Sequence, residues 1–126
     1  MEYNDNLINR IREALVQQRY VEEKKMFQGI CFMVNGKMCV CVRKDEMMCR
    51  IGPDKYKEAL EKNGCRPMVH RGKTMVGFVF ISPEGMRTKA DFDYWMKCSL
   101  DFNKIARASN KKDRQTIKAK QNEKSN

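Results

Sequence analysis

The sequence predicts an α+β domain of two layers, with a largely antiparallel sheet, a central β-hairpin and three helices. Three observations carry that prediction. Apolar residues recur at helical spacing near the start of the chain, around residues 56–60 and again around residues 92–106. The runs "ICFMV" and "KMCVCV" flank Asn35-Gly36, and "TMVGFVFIS", from Thr74 to Ser82, is apolar at nearly every position. Helical stripes beside strands joined by a tight turn point to helices packed on an antiparallel sheet.

Each element has a local cause. Leu7, Ile8, Ile11 and Leu15 form one apolar stripe, and Asn4 or Asp5 can cap the free backbone donors ahead of it. From Val21 the period changes, and "EEKKMF" leads to Gly29 and the hairpin. Asn35-Gly36 supplies the two positive φ angles of a type I′ turn. The short strand "MMCRI" ends at Gly52; Pro53 then presets the first turn of a second helix with Tyr56, Ala59 and Leu60 on its buried stripe. Asn63-Gly64 stops that helix. Pro67 disfavours helix ahead of the long apolar strand, which is expected to be covered on both faces. Thr88 and Asp91 form a capping-box start for a third helix carrying Phe92, Trp95, Met96, Phe102 and Ala106.

The chain has 126 residues, 41% of them hydrophobic, which suits a single core. Residues 1–108 are expected to form the domain and residues 109–126 a basic, disordered tail, because Ile117 is the one large aliphatic residue after Ala108 and burial there cannot offset ordering entropy. The charge is concentrated toward the C-terminus: of a net +10, residues 103–126 hold +6. No apolar run is long enough to span a bilayer, and "MEYNDNLINR" lacks the basic start and apolar stretch of an export signal. A cytoplasmic protein with six reduced thiols is therefore expected.

The ordered segments "KKMF" with Gly29, "FMVNGKM", "RIGPDKY", "RPM", "GKTMVGFVFI" and "PEG", closed by Trp95, resemble the N-terminal domain of the TfoX/Sxy proteins, bacterial regulators associated with natural competence. The resemblance runs from about Asn4 to Phe102. It implies a small α+β fold similar to secretion-chaperone-like proteins, a regulatory or interaction role, and no catalytic residues to carry over. Gln28 and Cys41 stand where glycines are frequent in that family. The basic tail takes the place of a second, C-terminal domain, so a stand-alone domain is expected.

The chemistry-bearing residues give no enzyme or cofactor pattern. Cys39 and Cys41 share a strand face, but Cys31, Cys39, Cys41 and Cys49 lack the spacing of a zinc site, and His70 is the single histidine, expected in a loop. A regular hairpin register pairs Met33 with Met38 and Phe32 with Cys39. Cys31 and Cys39 then lie on opposite faces, and no disulfide between those two is expected. Two features remain as candidate binding elements. Lys111, Lys112, Arg114, Lys118, Lys120 and Lys124 of the tail can neutralise nucleic-acid phosphates without sequence preference. Lys24, Lys25 and Arg50 are candidates for a surface patch, or for charges that protect strand edges. Both faces of the hairpin are apolar, so either helices cover both or another protein covers one, a second copy being the candidate. The expectation is a non-enzymatic regulatory or interaction domain without metal or cofactor. A chaperone-like or structural interaction protein with no DNA role is the alternative.

Overall fold

The structure is a computed structural model that describes residues 4–26 and 28–107. Helix α1 (Asp5–Ala14) begins where the Asn4 side chain accepts a hydrogen bond from the Leu7 amide at 3.1 Å. Its stripe of Leu7, Ile8 and Ile11, continued by Leu15 just beyond the helix, is buried as its spacing requires. Six strands follow: β1 (Val21–Met26), β2 (Gly29–Val34), β3 (Lys37–Arg43), β4 (Glu46–Arg50), β5 (Cys65–His70) and β6 (Lys73–Ile81). They form one antiparallel sheet in the order β1-β2-β3-β4-β6-β5. Helix α2 (Pro53–Leu60) connects β4 to β5, and α3 (Lys89–Asn103) follows a 3-10 turn at Pro83–Met86.

All three helices pack on one face of the sheet. Their buried residues join Phe32, Val34, Cys39, Val40, Val42, Met47, Cys49, Val79 and Ile81 in one core. Trp95 is fully buried there, and its Nε1–H donates to the Gly85 carbonyl at 3.0 Å. Thr88 caps α3 by accepting the Asp91 amide at 3.0 Å. The end of α3 is clasped to the Asn35-Gly36 turn: the Asn103 side-chain amide donates to the Val34 carbonyl at 3.2 Å, and Lys37 Nζ donates to the Asn103 carbonyl at 2.6 Å. Asn103 is itself buried, so Asn103→Ala is expected to cost about 1–3 kcal/mol by leaving the Val34 oxygen without that donor. A urea titration reads this as a lowered midpoint at constant slope.

The sequence-based expectations need three corrections. The segment around Pro67 is a strand, not a loop: β5 pairs with β6 through the Arg71-Gly72 turn, whose two residues have φ of 54° and 77°. His70 accordingly ends a strand. The apolar run of β6 is covered on both faces only in its second half, since Val76 is 57% exposed. The hairpin register also shifts by one residue. Met33 faces Met38 as expected, but Phe32 faces Val40, which leaves Cys39 as the extra residue of a β-bulge. Cys41 therefore lies opposite Cys31, and the two are joined by a disulfide with their Cα atoms 4.0 Å apart. The thiols of Cys39, Cys49, Cys65 and Cys98 are free.

Candidate functional site: the open face of the sheet

The bulge at Cys39 turns both Cys39 and Val40 toward the helices and leaves Met38 and Cys41 together on the other face. A second apolar cluster forms there, made of Cys31, Met38, Cys41, Met48 and Phe80, with Met33, Met68 and Phe78 packed at its margin. It contains no helical residue. Strand pairing aligns one row across the sheet, from Lys24 to Cys31, Cys41, Met48, Phe80 and Arg66, because directly opposed residues project to the same side.

This face holds a cavity of about 210 Å³ whose lining includes Cys41, Met48, Met68, His70 and Phe80, together with Met26 at the end of β1 and Gln28 beyond it. Arginines frame it. The Arg43 and Arg66 guanidinium groups lie 4.8 and 4.9 Å from the Phe80 ring centre, an attractive arrangement of cation and π-face. Arg66 is held by a two-pronged pair with Glu46, at 2.6 and 2.8 Å. Gln28 adopts a positive φ of 61°, the conformation that a glycine takes without a Cβ penalty.

The surface-patch candidates are not brought together. Lys24 and Lys25 are exposed on the edge strand β1, and as consecutive residues of a strand they point to opposite faces. Arg50 lies on β4, with β2 and β3 between it and β1. It is held between Phe78 and Phe102, 5.7 and 5.5 Å from their ring centres, and its Nη2 donates to the Arg107 carbonyl at 2.9 Å. Lys111, Lys112, Arg114, Lys118, Lys120 and Lys124 lie outside the described residues.

The free thiols are poor nucleophiles. Burial pushes Cys39 up to about 12 and Cys65 up to about 11, and it raises Cys49 as well, so the reactive thiolate is scarce near neutral pH. Among the described residues, no three of His, Cys, Asp and Glu are grouped to hold a metal ion. No described helix is long and apolar enough to cross a membrane.

The model of the TfoX N-terminal domain matches residues 13–103. The chain belongs to this family. The match starts in α1 and ends at the last residue of α3, so the TfoX N-terminal domain here takes in the whole sheet, the open face and the Trp95 core. No curated protein and no solved structure matches the chain. In this TfoX domain, what the sequence reading missed is the cluster of sulfur-bearing residues on the open face. Its signal was present as "MCVC" opposite "ICFM", but only the bulge places both outer cysteines on one side.

Proposed function

We propose that this TfoX-type domain is a non-catalytic regulatory module of the cytosol that works by association. A second copy covers the open face of its sheet, and the basic tail adds sequence-independent contact to nucleic acid. One observation carries this reading: among the described residues all helices lie on one face of the sheet, while the other is apolar and bears no helix. The central cluster is shielded within one chain, at 6% exposure or less, so the contact surface is the rim of side chains around it, and two copies of one sheet face can pack against each other as the layers of a sandwich do. That rim includes Val69 and Met26, 58% and 37% exposed at the margin of the cavity, and exposed apolar side chains grouped in this way mark interaction sites.

Sedimentation velocity tests it. At about 100 μM the chain is expected to run as a dimer, since an association worth about 7 kcal/mol suffices at that concentration. Val69→Glu is expected to return it to a monomer while leaving the circular dichroism unchanged, because the side chain it replaces is exposed. A wild-type chain that stays monomeric at this concentration would sink the self-association reading.

A further inference from the structure

We propose that Cys31, Cys41 and the thioether of Met38 form a copper(I) site on the open face of the sheet when the disulfide is reduced. The sulfurs are already assembled. Cys31 and Cys41 are direct cross-strand neighbours, and the Met38 Sδ lies 3.4 Å from the Cys41 Sγ. Met48 faces Cys41 from the next strand, offering a second thioether.

The donor set selects the metal. Zinc takes four nitrogen, sulfur or carboxylate ligands, and among the described residues these two cysteines have no third His, Cys, Asp or Glu grouped with them. Two thiolates completed by neutral thioethers suit copper(I), a soft ion. The surroundings meet its remaining needs. Cys41 lines the 210 Å³ cavity, which in the monomer gives an approach from solvent past Met68 and His70. Two thiolates and one Cu⁺ leave a single negative charge, which is costly in an apolar site unless paired. Arg43 and Arg66 over Phe80, and Lys24 opposite Cys31, place cationic side chains along the same face.

The chemistry balances in two steps. A thiol reductant supplies two electrons and two protons, the Cys31–Cys41 bond breaks to two thiols, and the reductant leaves as its own disulfide. Copper(I) then displaces the two thiol protons to solvent, with no change in oxidation state. The oxidised chain has no thiolate at either position and is the non-binding form.

The test uses the full chain, reduced with excess dithiothreitol, desalted without oxygen and titrated with an acetonitrile complex of copper(I) in competition with bathocuproine disulfonate. One copper per chain with an all-sulfur shell in X-ray absorption is the expected result. Met38→Leu, which keeps the volume of the side chain, is expected to weaken binding by about 10- to 100-fold, the size of effect that a supporting ligand has. Cys31→Ala/Cys41→Ala is expected to abolish it, with folding checked by circular dichroism. The oxidised wild-type chain, kept free of reductant, is expected not to bind, and it serves as the comparison where the double variant fails to fold. Less than half an equivalent bound to the reduced chain would overturn the proposal. Full binding by the oxidised chain or by a folded double variant would overturn it too, since copper would then sit at Cys39, Cys49, Cys65 or Cys98.

Discussion

Trp95→Ala is expected to be the most destabilising single substitution considered, at about 3–5 kcal/mol, the range for truncating a large buried aromatic. Trp95 is fully buried, its indole N–H is bonded to the Gly85 carbonyl, and Tyr94 packs edge-on at a ring-centre distance of 4.9 Å. Truncation opens a cavity between α3 and the sheet and also strips the Gly85 oxygen of its donor. Whole domains are stable by only about 5–15 kcal/mol, so the variant should be largely unfolded on mild heating. Trp95→Phe keeps the six-membered ring, so it should lose the hydrogen-bond share, about 1–3 kcal/mol, plus the smaller cavity left by the missing pyrrole ring. Urea midpoints for the three chains would measure this, and an unchanged midpoint for Trp95→Ala would contradict the packing of α3.

Deleting residues 109–126 should change nucleic-acid affinity more than any substitution in the domain. Residues 109–126 hold six basic and two acidic side chains, net +4. If Lys111, Lys112, Arg114, Lys118, Lys120 and Lys124 each neutralise one phosphate, affinity for duplex DNA falls with a log–log salt slope of about −5, or about 10³-fold between 50 and 200 mM salt. The truncated chain should show a much shallower slope and weak binding at low salt, with a thermal midpoint close to that of the whole chain. Fluorescence anisotropy with two unrelated duplexes checks all of this. Equal affinity of the truncated and whole chains would move recognition to the folded surface. A strong preference for one duplex would be inconsistent with contacts made only to phosphates.

Most of the fold was legible because its signals are local. The Leu7–Leu15 stripe, the Asn35-Gly36 turn, the Gly52-Pro53 helix start and the Thr88 cap each act within a few residues, and each is found in place. Strand β5 was hidden for a physical reason. It is an edge strand whose residues are mostly exposed, so it needs no apolar alternation, and Pro67 is tolerated at an edge where a ladder donor can be spared. The bulge was hidden for the opposite reason. All five residues from Met38 to Val42 are buried, and a strand apolar on both sides carries no alternation from which a one-residue slip can be read. The disulfide and the sulfur cluster depended on that slip. Lys24, Lys25 and Arg50 could be placed near strands from sequence, but the strand order that keeps Arg50 away from β1 is a tertiary property.

The strand order also governs how the chain assembles in time. Four of its five strand pairings, β1–β2, β2–β3, β3–β4 and β5–β6, join neighbours in sequence, so each closes over a short loop at little entropic cost. Only β4–β6 bridges a longer stretch, across α2 and β5. Low contact order of this kind favours fast folding for a sheet protein. The slow step then falls to the contacts of longest range, where Asn103 and Lys37 join α3 to the β2–β3 hairpin across more than half of the described chain. A ribosome-bound chain that has not yet released Asn103 can hold its four-stranded meander, β1 to β4, but lacks the clasp that completes the native state.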